Sequence, residues 1–205
     1  PPVARSRWRT PLVILLCGCV VAVLSFGPRA VLGFFLTPMS LANGWSREVF
    51  GMALAIQNLL WGLGLPFAGA IADRYGTARV LWFGGLLYAL GLALMAYAQT
   101  PAMLNLSAGV LIGFGMSGCS FNIVLAAFGK LVPDSWRSLA FGIGTAAGSF
   151  GQFLFSPLTV ALQGAFCWQN TLLMFAGGML LILPFSLALI TPPAITATAA
   201  AGKRE

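Results

Sequence analysis

Apolar residues fall into six long runs separated by short polar or charged turns: about 12–36, 47–70, 80–98, 102–129, 138–162 and 170–190. A helix rises about 1.5 Å per residue, so a run of about 20 residues crosses the roughly 30 Å hydrocarbon layer of a bilayer. The pattern predicts an all-α membrane protein of six transmembrane helices. Pro28-Arg29 interrupts the second half of the first run. Asn43-Gly-Trp-Ser46 reads as a turn and an N-cap with Trp45 at interface depth, and Pro192-Pro193 stops the last helix. The sharpest punctuation is Gly69-Ala-Ile-Ala-Asp73-Arg74-Tyr75-Gly76-Thr-Ala-Arg79. With so few polar residues between two spans, Asp73 to Gly76 should form a tight hairpin at the membrane surface. Gly69 and Gly76 would allow close approach, and Asp73 and Arg74 would lie in headgroup water.

Composition strengthens this picture. Hydrophobic residues make up 59% of the 205 and charged residues 7%, against about 25% charged in a soluble domain. The net charge of +7 does not point to nucleic acid, because the cations sit at the ends of apolar runs, where they set topology. Arg5, Arg7, Arg9, Arg74, Arg79, Lys130, Arg137, Lys203 and Arg204, nine in all, fall on one side and Arg47 alone on the other. Both termini are therefore expected in the cytoplasm of a cell whose inner (plasma) membrane holds the chain, with residues 1–10 as a cytoplasmic segment and 191–205 as the start of a cytoplasmic linker. The chain opens on Pro-Pro and closes on a charged Ala/Thr-rich tail, so both ends read as cuts in a longer protein.

Candidate chemistry is sparse. There is no histidine, and Cys17, Cys19, Cys119 and Cys167 have neither metal-ligand nor disulfide spacing, so no metal, cofactor or catalytic residue is expected. Gly115-Met-Ser-Gly118 and Gly148-Ser-Phe-Gly151 look like nucleophile motifs, but no base exists to activate either serine. Arg29 stands out. It lies within the first span, where an arginine costs at least ~2.5 kcal/mol near the bilayer centre unless it faces protein, water or a counter-ion. No Asp or Glu lies within a span to pair with it. Facing a water-filled cavity, it is suited to grip a carboxylate through two parallel hydrogen bonds; the alternatives are snorkelling to the interface or pairing with an acid in a missing segment.

Uncharged polar residues concentrate in spans 2, 4 and 5: Gln57 and Asn58; Ser117, Ser120 and Asn122; Thr145, Ser149, Gln152 and Ser156. The last four repeat at helical spacing and form one stripe, which would face a neighbouring helix or an aqueous path rather than lipid. Spans 1, 2, 4 and 5 are expected to line a cavity that spans 3 and 6 support from outside. Arg29, Gln57, Asn58, Asn122, Ser149 and Gln152 are the candidate substrate-binding residues. Gly109-x-x-x-Gly113 and Gly144-x-x-x-Gly148 read as close-packing helix faces.

The motif Gly69-x-x-x-Asp73-Arg74-x-Gly76-x-x-Arg79, placed between spans 2 and 3, resembles the cytoplasmic signature of the major facilitator superfamily, although Thr77 and Ala78 stand where basic residues are usual. Gly27-Pro-Arg29 and Gly44-Trp-Ser-Arg47 look most like bacterial members of the monocarboxylate and oxalate/formate group. The resemblance covers about residues 10–190 and implies the N-terminal six-helix half of a transporter working by alternating access. It also implies that Asp73, Arg74 and Arg79 belong to a cytoplasmic gate that docks on a missing C-terminal six-span half. The expected partners are then the lipid bilayer, that second half and a small organic anion, a monocarboxylate or similar. A six-span homo-oligomeric channel or a non-transporting membrane scaffold is the alternative.

Overall fold

A computed structural model of the chain describes residues 10–191. Arg5, Arg7 and Arg9, and Pro192, Pro193, Lys203 and Arg204, lie outside the described residues. The described chain is helical and contains no strand. Its long helical segments are α1 (Pro11–Asn43), α2 (Arg47–Tyr75), α3 (Thr77–Ala96), α4 (Pro101–Leu131), α5 (Asp134–Ala165) and α6 (Trp168–Leu189). All but α5 are long and apolar enough to cross a membrane on length and composition. At 32 residues α5 is long enough; its polar stripe lowers its apolarity, and it lies along α1.

Local chemistry sets the ends. Thr10 and Thr100 accept from the backbone N–H groups of Val13 (3.3 Å) and Met103 (3.2 Å), satisfying donors that a first turn leaves free. Gly44 closes α1 with a left-handed φ of +67°. The helix does not break at Pro28. It continues to Val31 and tightens into a 3-10 turn over Leu32–Phe35. The α2–α3 connection is shorter than its polar residues suggest, because Asp73, Arg74 and Tyr75 complete the last turn of α2 and Gly76 alone reverses the chain, at φ +95°. The next residue, Thr77, is buried. It donates to the Leu189 carbonyl, and its N–H donates to Thr191 Oγ1 (3.1 Å), so it fastens the start of α3 to the end of α6. A long basic side chain has no room in that position.

Packing divides the bundle into a front and a back. α4 touches α1, α2 and α3; α1 lies against α5 and α6, and α3 against α4 and α6. α3 and α6 thus form the back, while α1, α2, α4 and α5 share the front. Where α3 packs on α4 and α6, Tyr88, Leu92, Ile112 and Met179 are fully buried. Glycines set the closest approaches. A Cβ on Gly84 of α3 would stand 2.4 Å from Cys119 N and 2.5 Å from Gly118 C, so the two helices touch backbone to backbone. Gly109 and Gly113 lie against Ile56 and Gln57 of α2. Gly144 comes nearest to the side chains of Phe128 and Leu125, Gly148 to the ring of Phe26, and Gly69 meets nothing within 4 Å because it borders a small pocket between α2 and α4.

Arg74, Arg79, Lys130 and Arg137 gather at one end of the bundle; Arg47 lies at the other. At the cationic end Lys130 Nζ donates to Asp73 Oδ1 (2.6 Å), joining α4 to α2, and Arg137 pairs with Asp134 one turn earlier on α5 (2.5 Å).

Candidate functional site

Helix rise brings the central residues to one level. Arg29 on α1, Asn58 on α2 and Gln152 on α5 lie almost equally far along their helices from the cationic end. At about 1.5 Å per residue, all three stand roughly 26–27 Å from that end. They line a single front-facing cavity of about 330 Å³ with Gln57, Phe26 and Leu54.

Arg29 is held on two sides. Its Nη2 donates to Asn58 Oδ1 (3.1 Å), while Asn58 Nδ2 donates to the Leu54 carbonyl (2.8 Å), which fixes the orientation of the amide. The guanidinium carbon lies 4.1 Å from the centroid of the Trp61 ring, one turn further along α2. Stacking on an aromatic face contributes roughly 0.5–2 kcal/mol, offsetting part of the cost of a cation at this depth. Neither partner neutralises it. Among the described residues both ion pairs are at the bundle end, and no carboxylate reaches Arg29. A guanidinium has five N–H donors in a planar fork, and Asn58 takes only one. The arrangement is a preoriented cation facing a small cavity with most of its donors available.

Gln57 lines the same cavity, 2% exposed, and its Nε2 has no hydrogen-bond partner. Gln152 is exposed at the cavity wall, and Ser149, one turn away on α5, is exposed on the same stripe. Asn122 is elsewhere. It lies closer to the end of α4, about 14 Å from the cationic end, and it lines a separate pocket of about 120 Å³ with Asp73 and Ser120. Ser120 also borders a small recess beside Arg29 and Trp61, so the two levels meet at this residue.

That meeting point is a break in α4 at Cys119–Ser120. The Cys119 carbonyl lacks its usual helical donor, since the Ile123 N–H turns to the Ser120 carbonyl instead. Ser25 of α1 supplies one, its hydroxyl 2.7 Å from both the Cys119 and the Val21 carbonyl. Sequence reasoning overlooked Trp61, Ser25 and this break. Spacing offered a hint only for Trp61, which follows Asn58 by three positions and so shares its helix face.

At the cationic end Asp73 is bound to Lys130, with side chains 66% and 43% exposed. Arg74 lies over the Tyr75 ring at 5.5 Å. Arg79 is exposed beside α2.

Comparison with known proteins places these features in context. The sequence model of the Major Facilitator Superfamily matches residues 18–205. The chain is 32% identical over 183 residues to a mouse (Mus musculus) protein named monocarboxylate transporter 3, covering 88% of this chain and 35% of that protein. It is 30% identical over 182 residues to a gallate transporter of Pseudomonas putida, covering 87% and 38%. In three dimensions it superposes on a mutant of peptide transporter POT crystallised with sulfate, at a TM-score of 0.71 and 22% identity, covering 96% of this chain and 44% of that one. The chain thus spans less than half the length of these relatives.

Proposed function

The chain belongs to the Major Facilitator Superfamily, and from that premise we propose that it forms the N-terminal half of a secondary transporter that carries a small organic anion, a monocarboxylate or similar, by alternating access. The observation that carries the proposal is Arg29, a cation fixed by Asn58 and Trp61 at a cavity wall with no carboxylate to neutralise it. A substrate carboxylate fits in-plane against the unused N–H groups, where two parallel charge-assisted bonds form. Low dielectric strengthens that contact, and a neutral solute gains nothing comparable. The names of two relatives, a monocarboxylate and a gallate transporter, support a carboxylate.

Residues 11–190 act in this reading as one six-span unit, with both termini in the cytoplasm and the cationic end facing it. The front of α1, α2, α4 and α5 meets a second six-span half, closing the cavity from the far side. Asp73, Arg74 and Arg79 contribute to the cytoplasmic gate, the Asp73–Lys130 pair fastening α2 to α4 there. Gln57, Ser149 and Gln152 line the path with hydrogen-bonding groups, and Asn122 lines it nearer the cytoplasm. Replacing Arg29 by Gln in the full-length protein and measuring uptake of labelled organic anions into vesicles tests the reading. Uptake should fall at least tenfold while the protein remains folded; undiminished uptake would refute Arg29 as the anchor.

A further inference from the structure

A second cavity, larger than the one at Arg29, opens on the side of the bundle. It holds about 680 Å³ between α2 and α3, with α4 as its floor. Its origin lies in the small residues. Gly64 of α2 is drawn onto Ser117, and Gly84 of α3 onto Gly118, so both helices pack on α4 and leave a channel between them above it. Gly76 joins them at its cationic end.

The chemistry of the channel is divided. Arg79 and Tyr75 stand at the mouth, and behind them the walls carry Phe67, Ile71, Phe83 and Leu87. The one hydroxyl lining the channel behind the mouth belongs to Ser117, which is already engaged with the Trp61 (3.0 Å) and Gly113 (3.2 Å) carbonyls. Water finds no partner there. Arg79 forms no ion pair among the described residues; Asp73 is taken by Lys130, and Asp134 by Arg137. The channel runs along α2 from Tyr75 back to Gly64, about 16 Å of helix rise. It starts at the level where headgroups lie and ends within the hydrocarbon layer. An occupant must be apolar along that length and anionic at its head.

We propose that this channel is a binding site for one anionic phospholipid of the bilayer, its phosphate on Arg79 and one acyl chain laid over α4 between Phe67 and Phe83. The site is separate from the Arg29 cavity, and neither its occupation nor its test depends on what the protein transports.

Native mass spectrometry of the full-length protein, purified and supplied with phosphatidylglycerol or phosphatidylcholine, provides the test. The wild type should retain one phosphatidylglycerol with at least fivefold preference over phosphatidylcholine. Arg79→Gln should reduce the preference below twofold, whereas Arg47→Gln, a cation at the opposite end, should leave it unchanged. Ala68→Phe, which fills the channel wall without touching the charge, should abolish retention of both lipids. Equal retention of the two lipids by the wild type would overturn the assignment, as would an unaltered preference in Arg79→Gln. Cross-linking of a cysteine placed at Phe67 to a later segment of the full chain instead of to lipid would do the same, by showing that protein fills the channel.

Discussion

Gly84→Ala tests the seam on which the back of the bundle depends. The added methyl would stand 2.4 Å from Cys119 N, 2.5 Å from Gly118 C and 2.7 Å from Gly118 Cα. Carbon atoms in contact prefer about 3.5–4.0 Å, so the backbones of α3 and α4 must part by roughly 1 Å. All three obstructing atoms are backbone, and no side chain can swing aside to absorb the overlap. Overpacking of this kind costs about 1–3 kcal/mol, and alanine's better helix propensity returns about 0.5–1 kcal/mol. A net loss of up to about 2.5 kcal/mol lowers the melting temperature by as much as roughly 10 °C for a domain of this size. Thermal melting of the purified protein, followed by intrinsic fluorescence, reads this directly. Gly177→Ala is the matched control: it lies in a helix interior with nothing within 4 Å of its added Cβ, so it should melt at or slightly above the wild-type temperature. If Gly84→Ala melted no lower than Gly177→Ala, α3 and α4 would not be in backbone contact and the packing described here would be wrong.

Further expectations concern the turn, the gate and the anchor. Gly76→Ala forces a side chain to φ +95° and sets its Cβ 3.0 Å from the Thr191 carbonyl; left-handed strain costs about 1–2 kcal/mol, so this variant should melt lower as well. Asp73→Asn removes an ion pair that is largely exposed, worth at most about 1 kcal/mol, so melting should barely change while uptake falls severalfold. Trp61→Leu removes the ring 4.1 Å from the Arg29 guanidinium. The lost roughly 0.5–2 kcal/mol should weaken substrate affinity about 2- to 30-fold, and Trp61→Phe should retain part of it.

Much of the architecture can be read in the hydropathy pattern, because each crossing needs a run of apolar residues and each turn must hold what lipid rejects. The allocation of polar residues to α1, α2, α4 and α5 is legible for the same reason. Arg29, Gln57, Asn58 and Gln152 line one cavity, and their shared depth follows from the constant rise of a helix per residue. The same reckoning separates Asn122 from them, a consequence that composition alone conceals. Trp61 is harder to see: in a membrane sequence a tryptophan usually marks the interface, and only the position of α1 shows it lying against a guanidinium. Nor does spacing reveal which glycines matter most. Gly109 and Gly113 form the more obvious motif, yet the closest backbone approaches are at Gly84, Gly115, Gly118 and Gly151, because crossing points depend on how two helices meet. The break at Cys119–Ser120 has no proline to announce it; it is stabilised by Ser25, 94 positions before Cys119 in the chain.

Calorimetric titration of the full-length protein with a small organic carboxylate, and with the corresponding neutral amide, bears most directly on a preoriented guanidinium at the cavity wall. The wild type should bind the carboxylate saturably and the amide at least tenfold more weakly. In Arg29→Gln that discrimination should vanish. Binding of the carboxylate to Arg29→Gln with wild-type affinity, or equal binding of acid and amide by the wild type, would contradict the account.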